Sequence, residues 1–184
     1  MGHQLQRSLF GEHPEPEVSY VTEFLPSPGK WLGFICRNAS WNEQFHSRKT
    51  MTFGRSYSYP SGTQRNTELP KWLLPIAQAI DSRFGYFPNN CLINYYPNGD
   101  HYISFHADQL SEMQAQTGVT IVSLGAVRNM TLRNTAQPEI RHHYPLQAGS
   151  AFYMPDEVQN DWQHGILKQA GADARISLSF RKLI

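Results

Sequence analysis

A histidine and an aspartate stand two residues apart in the segment ISFHADQ, at His106 and Asp108. Residues two apart in an extended strand point to the same face, so the imidazole and the carboxylate lie side by side. Ile103, Phe105 and Ala107 are then expected on the opposite face, toward the core. Such a pair suits two adjacent ligands of one metal ion. A third ligand would complete the two-histidine, one-carboxylate triad that leaves open positions on non-haem Fe(II). The alternative is a solvated or mutually hydrogen-bonded pair, because H-x-D is a common pattern.

Three histidines are candidates for the third ligand of this triad. His142 and His143 lie in a polar segment beside Arg141, and His164 lies in DWQHGILK near the last predicted strand. The polar surroundings of the first two are also compatible with exposed side chains. The spacing of residues leaves the choice among the three open.

The C-terminal segment ARISLSFRKL alternates strictly between apolar and polar residues, which predicts a β-strand. One face carries Ile176, Leu178 and Phe180. The other face carries two arginines and two serines: Arg175, Ser177, Ser179 and Arg181. A solvated edge strand would explain this face simply. The functional alternative is a dicarboxylate site, because a guanidinium presents a planar fork that matches a carboxylate.

Short β-rich runs separated by turn residues fill the chain after Gly85. There are eight of them: CLINYYP, HYISFHAD, GVTIVSLG, RNMTLRN, EIRHHYPL, SAFYMP, WQHGIL and ARISLSFRKL. Runs at this spacing predict antiparallel strands in a sandwich, barrel or jelly roll. The histidine and aspartate fall in the second run, and the two arginines fall in the last.

The N-terminal half is predicted to contain two strands and two helices. The strands are VSYVTEF at 18–24 and RKTMTFG at 48–54, and LPSPGKWLGFICRN forms a short helix after its prolines. The clearest helix is PKWLLPIAQAIDSRFG, which we expect to begin near Lys71 and to end at Gly85. Its apolar stripe recurs near a period of 3.6, which indicates core packing.

Composition limits the classes of protein to consider. The 184 residues suffice for one domain, and 16 Lys and Arg against 15 Asp and Glu leave a net charge of +1. That balance excludes the strong basic excess of many nucleic-acid-binding domains, so any contact with phosphates must be local. Cys36 and Cys91 are too few for a disulfide framework. We expect a soluble cytoplasmic protein, or a nuclear one if the source is eukaryotic, with no membrane partner.

In order and spacing, the motifs N-x-Y, H-x-D, H and R-x-S-x-x-x-R resemble the AlkB family of Fe(II)- and 2-oxoglutarate-dependent dioxygenases. The matching residues are Asn94, Tyr96, His106, Asp108, His164, Arg175, Ser177 and Arg181. The resemblance spans about residues 45–183. It implies a mostly β fold with flanking helices, a double-stranded β-helix or cupin-like jelly-roll barrel.

Residues 1–17 are polar and contain Pro14 and Pro16, which predicts a flexible arm before one domain at 18–184. The resemblance implies a substrate lid at about 45–66 and a jelly-roll core at about 91–183 within that domain, and it implies roles for the matching residues. Three residues would hold the catalytic iron: His106, Asp108 and His164. Five would bind 2-oxoglutarate: Arg175, Tyr96 and Ser177 at its distal carboxylate, with Asn94 and Arg181 at the end that chelates the metal.

The segment RKTMTFGRSYSYPSG resembles the nucleotide-recognition lid of that family. Four of its residues would contact the substrate: Phe53, Arg55, Tyr57 and Tyr59. An aromatic ring can stack on an extruded base, and the basic residues Arg48, Lys49 and Arg55 can meet phosphates. Alternatively, the aromatic residues only cover the barrel mouth.

The resemblance implies oxidative dealkylation of N-alkylated bases in DNA or RNA, with consumption of 2-oxoglutarate and dioxygen. We expect a monomer. One residue departs from the family pattern. Leu110 stands two positions after the metal-binding aspartate, where dealkylases usually carry an acid that accepts a hydrogen bond from the base. Two other hypotheses therefore remain open: a hydroxylase or oxidase of a small metabolite, and a jelly-roll binding module without enzymatic activity.

Overall fold

The computed structural model describes residues 14–56 and 67–184 and contains ten β-strands there. The strands are β1 (Ser19–Val21), β2 (Lys49–Gly54), β3 (Asn90–Tyr96), β4 (Ile103–His106), β5 (Gly118–Gly125), β6 (Arg128–Asn134), β7 (Arg141–Leu146), β8 (Ala151–Pro155), β9 (Trp162–Ile166) and β10 (Arg175–Arg181). The helices are α1 (Pro28–Asn38), α2 (Leu74–Phe84) and α3 (Val158–Asp161). Each of the eight runs after Gly85 therefore contains a strand.

Two antiparallel sheets form the body of the molecule. The larger sheet has the order β1-β8-β5-β10-β3-β2, and the smaller one has the order β4-β9-β6-β7. Buried apolar side chains from both sheets, such as Ile121 and Phe152 from the larger and Leu132 and Ile166 from the smaller, pack together between them. This arrangement confirms the predicted jelly-roll fold, although the two sheets do not close into a continuous barrel.

Helices α1 and α2 cover the outer face of the larger sheet. Ile35 of α1 and Ile76 and Ile80 of α2 are buried against that face. A 3₁₀ turn at Lys71–Leu73 precedes α2, and Gly85 ends the helix with a φ of 77°. A glycine adopts this left-handed conformation without the strain that a side chain brings. The turn that begins at Lys71 and the glycine at position 85 agree with the predicted start and end of this helix. Among the described residues, no helix has the length and apolar character needed to cross a membrane.

Strand β10 lies between β3 and β5 near the centre of the larger sheet. Its apolar residues, such as Leu178, face the helices, while Arg175 and Ser177 face the space between the sheets. The register pairs Arg175 with Tyr96, and all seven residues of the strand are buried. The predicted alternation is confirmed, and the solvated edge strand is excluded.

Strand β4 departs from regular alternation. Its pairing with β9 shifts register between Ile103 and His106, so that both side chains line the same cavity. Phe105 instead lies on the outer side, with its ring centroid 4.2 Å from the guanidinium carbon of Arg133. The prediction that Ile103 and Phe105 share a core face opposite His106 is therefore wrong, because an irregularity in a strand reverses which residues point inward.

Candidate metal and dicarboxylate site

Three ligand-bearing side chains converge on the inner side of the smaller sheet. The ligand atoms of His106, Asp108 and His164 all lie within 4.8 Å of one another. His106 stands directly opposite His164 in the antiparallel pairing of β4 with β9, and Asp108 follows the end of β4. The structure thus brings together a set of ligand types that non-haem iron prefers.

The other two candidate histidines lie away from this cluster. Both belong to β7, which is separated from β9 by β6 in the smaller sheet. The His142 ring packs against Trp162, and the Nδ1 atom of His143 lies 2.9 Å from the Thr131 hydroxyl. Of the three histidines that the sequence offered, the structure places only His164 beside His106 and Asp108.

The surroundings of both imidazoles favour the neutral form that metal binding requires. The Nδ1 atom of His106 lies 2.9 Å from the Ser104 carbonyl oxygen. Because a carbonyl only accepts, Nδ1 carries the proton and Nε2 keeps a free lone pair. Burial lowers the pKa of His106 despite the nearby Asp108 carboxylate, and burial together with His106 lowers the pKa of His164 to about 3.

The Asp108 carboxylate is ionised and fixed from two sides. Burial raises its pKa, but Arg181 and the two imidazoles outweigh burial and hold the pKa below its usual range. Arg181 donates from Nε to Oδ2 at 3.1 Å and from Nη2 to Oδ1 at 3.0 Å. Arg181 was predicted to contact 2-oxoglutarate; in the structure it lines the cavity and pairs with the metal-binding carboxylate.

Gln159 is a site residue that sequence reasoning missed. It lies on the short helix α3 and is 5% exposed. Its Oε1 accepts a hydrogen bond from the Asp108 backbone N–H at 2.9 Å. This contact fixes the chain where β4 ends, and no local pattern around either residue predicts it.

One cavity between the sheets joins the histidines to the residues predicted to bind 2-oxoglutarate. Its polar wall consists of His106, His164, Asn94, Tyr96, Arg175, Ser177, Ser179 and Arg181. Its apolar wall consists of Leu92, Ile103, Ile121, Met130 and Ile166. The register explains the grouping, because Ser177 of β10 lies opposite Asn94 of β3 and Arg175 lies opposite Tyr96.

Arg175 is a fully buried cation in this cavity. Its Nη2 donates to the Ser123 hydroxyl at 2.9 Å, and its guanidinium carbon lies 5.4 Å from the Tyr96 ring centroid. Burial lowers its pKa to about 10, so it remains charged at neutral pH. Within residues 14–56 and 67–184, Nε and Nη1 have no hydrogen-bond partner and no carboxylate pairs with the group. A buried, unsatisfied guanidinium fits an anionic ligand.

Phe53 and Arg55, the two predicted substrate-binding residues that the structure describes, do not line this cavity. Phe53 pairs with Cys91 and points toward the helices, with its ring 5.6 Å from that of Trp72. This contradicts its predicted place in the pocket, because the cavity lies on the other face of the sheet. Arg55 is exposed and borders a separate groove. Tyr57 and Tyr59 lie outside the described residues.

Arg48 and Leu110, which the sequence analysis linked to substrate recognition, both pack inside the protein. Arg48, predicted to meet phosphates, is 4% exposed and donates from Nε to Asn94 Oδ1 at 2.9 Å. Leu110 begins a 3₁₀ turn and packs against the apolar layer between the sheets. Its side chain cannot accept a hydrogen bond from a base.

Comparison with known proteins gives a consistent result for the family. The family model described as the 2OG-Fe(II) oxygenase superfamily matches residues 30–181. Among solved structures, "The structure of OsALKBH1" superposes with a TM-score of 0.69 at 15% identity, covering 93% of this chain and 100% of that one. A Pseudomonas putida prolyl-4-hydroxylase superposes with a TM-score of 0.57 at 15% identity, covering 90% and 92%. These two likenesses concern the fold.

Curated relatives point to a narrower group. The rat alpha-ketoglutarate-dependent dioxygenase alkB homolog 3 is 25% identical over 170 residues, which cover 80% of this chain and 57% of the relative. The human DNA oxidative demethylase ALKBH2 is 27% identical over 185 residues, which cover 92% of this chain and 66% of the relative. The chain therefore spans less than two thirds of the length of these relatives.

Proposed function

Because the chain belongs to the 2OG-Fe(II) oxygenase superfamily and is similar to AlkB homologues, we propose that it removes alkyl groups oxidatively from N-alkylated bases in DNA or RNA. Its cofactor and co-substrate are Fe(II) and 2-oxoglutarate. One observation carries the proposal. The His106–Asp108–His164 cluster belongs to the same buried region between the sheets as the Arg175 donors that have no partner among the described residues.

The residues present fit both groups. His106, Asp108 and His164 would hold the iron through two neutral imidazoles and one ionised carboxylate. Arg175 would donate its available N–H groups to the distal carboxylate of 2-oxoglutarate. When bound, iron and 2-oxoglutarate supply the oxidation of a substrate C–H bond by dioxygen, with succinate and carbon dioxide as co-products.

The protein contributes orientation and exclusion of water. The apolar wall of the cavity, which includes Ile121 and Ile166, lowers the local dielectric constant around Arg175. Attraction between unlike charges is stronger in such surroundings than in water. Arg181 and Gln159 hold Asp108 in place, so the carboxylate is oriented before a metal arrives.

A basic surface on the outer face of the smaller sheet supports a nucleic-acid substrate. The smaller sheet lies wholly within the described residues, and its four strands contain no aspartate or glutamate. Arg133 stands directly opposite Arg141, and both guanidiniums lie against Phe105. Like charges opposite each other in a sheet repel, and a phosphate between them would relieve that repulsion. Phe105 immediately precedes His106 in β4, so this surface is the outer face of the sheet whose inner face carries the proposed metal site.

Neutralising this arginine pair tests whether the phosphates of a nucleic acid bind to this surface. Changing Arg133→Gln and Arg141→Gln together should weaken binding of a short single-stranded oligonucleotide. The slope of log affinity against log salt should also fall by roughly 0.7 for each phosphate that the variant no longer neutralises. Binding is measured by fluorescence anisotropy at several salt concentrations. Arg37→Gln with Arg83→Gln, two exposed positions on the helices, is the matched control. Equal losses of affinity in both double variants would contradict a specific surface.

The reaction itself is tested on the wild-type protein. Anaerobic titration should show that it binds Fe(II) and 2-oxoglutarate, and a screen of methylated oligonucleotides in air should release formaldehyde together with succinate. Succinate without formaldehyde from any oligonucleotide would favour a small-molecule substrate, which Leu110 also favours because it offers no acceptor to a base. No uptake of iron and no succinate would leave only a binding module.

A further inference from the structure

We propose that Arg48 is a positioning residue that makes Asn94 a hydrogen-bond donor toward the co-substrate. This rests on the proposed function, since it assigns a role within the same cavity. Arg48 immediately precedes β2 and is 4% exposed. Its guanidinium carbon lies 4.9 Å from the Phe45 ring centroid, and its Nη1 donates to the Ser47 hydroxyl at 3.3 Å. These contacts place the group against β3.

The hydrogen bond to Asn94 fixes which way the amide points. Arg48 Nε lies 2.9 Å from Asn94 Oδ1. A guanidinium has donors and no acceptor, so the amide atom that faces it must be the oxygen. The amide nitrogen, with its two hydrogens, is therefore the atom turned away from Arg48. A reversed amide would bring N–H groups against N–H groups and lose this bond.

The orientation matters because Asn94 lines the cavity that Arg175 shares. Asn94 lies on the inner face of β3, directly opposite Ser177 of β10. With its oxygen held by Arg48, the side chain can present N–H groups to a carboxylate or keto oxygen of the ligand. A side chain free to flip would present its oxygen part of the time, and that oxygen repels an anion. Arg48 thus sets the polarity of this part of the wall without touching the ligand.

A double-mutant cycle separates this role from direct contact with the ligand. 2-Oxoglutarate binding is measured by calorimetry with Mn(II) in place of Fe(II), so no turnover occurs. Arg48→Met and Asn94→Ala should each weaken binding by about tenfold, in line with a hydrogen bond to a charged group. The combined variant should be no weaker than either single variant, because both remove the same interaction. Multiplied losses of affinity would mean that Arg48 contacts the ligand itself and would overturn the proposal.

Asn94→Asp provides an independent test that keeps the Arg48 contact. The aspartate still accepts from Arg48 but turns a second oxygen, rather than N–H groups, toward the cavity. We expect a larger loss of affinity than for Asn94→Ala, and affinity equal to that of the wild type would overturn the proposal. Arg37→Met, an exposed helix position, is the control and should bind normally. If the wild type itself failed to bind 2-oxoglutarate, the proposed function would fail rather than the role of Arg48.

Discussion

Replacing His164 by alanine is expected to abolish metal binding, while the same change at His143 leaves it intact. His164 completes a cluster in which all ligand atoms lie within 4.8 Å of one another, whereas His143 is exposed on β7 and bonds to Thr131. Loss of a residue that only orients a ligand typically costs 10- to 100-fold in metal affinity. Loss of a ligand should therefore cost more than about 100-fold. Anaerobic Fe(II) titration and succinate formation measure both consequences.

The pair of variants also controls for folding. His164 is buried and His143 is not, so melting temperatures should accompany each titration. Metal affinity close to that of the wild type in the His164→Ala variant would show that the third ligand lies elsewhere. An equal loss of affinity in the His143→Ala variant would mean that the titration reports unfolding rather than ligation.

Side-chain alternation correctly predicted which residues of β10 share a face, because β10 is a regular strand. A central strand held on both sides by antiparallel neighbours keeps a strict period of two. The structure therefore confirms that Arg175 and Ser177 lie on the same face of the strand. Strand β4 lies at the edge of its sheet and shifts register, and an irregularity of this kind leaves no mark in a four-residue segment.

The misplacement of Phe53 could have been avoided from the sequence. In KTMTFG the apolar residues Met51 and Phe53 alternate with Thr50 and Thr52. That pattern indicates that Met51 and Phe53 share a core-facing side, and the structure packs both against the helix-covered layer. The resemblance of the whole segment to a substrate lid concealed this simpler signal.

Contacts between residues that are distant in the chain determine the features of the site that the sequence did not predict. The choice among three histidines depends on β9, rather than β7, lying beside β4. The roles of Gln159 and Arg48 likewise come from contacts with residues that are distant in the chain. Local sequence patterns do not predict such contacts, so identifying them required the three-dimensional structure.

Of the arginines that the structure describes, the two most deeply buried are expected to respond in opposite ways to replacement by methionine. Both Arg128 and Arg175 are 0% exposed. Arg128 donates to the backbone carbonyls of Asn98, His101 and Leu167, and so fastens loops together. Arg128→Met would leave these carbonyls unsatisfied and should lower the free energy of unfolding by about 3 kcal/mol or more.

Arg175→Met should instead leave the stability of the ligand-free protein unchanged or raise it. Apart from its bond to Ser123, Arg175 has two donors with no partner among the described residues, and its burial as a cation opposes folding. Removing it relieves that cost. The same change should weaken 2-oxoglutarate binding by about 10²- to 10³-fold, because truncating one member of a buried charge pair costs several kcal/mol.

Thermal unfolding without either ligand measures the effect on stability, and unfolding in Mn(II) with and without 2-oxoglutarate measures the effect on binding. In the presence of Mn(II), 2-oxoglutarate should raise the melting temperature of the wild type, and it should not raise that of the Arg175→Met variant. Arg175→Lys should recover only part of the rise, since an ammonium keeps the charge but loses the planar fork. If Arg175→Met destabilised the ligand-free protein as Arg128→Met does, the guanidinium would be structural. A dicarboxylate site between the sheets would then have lost its main support.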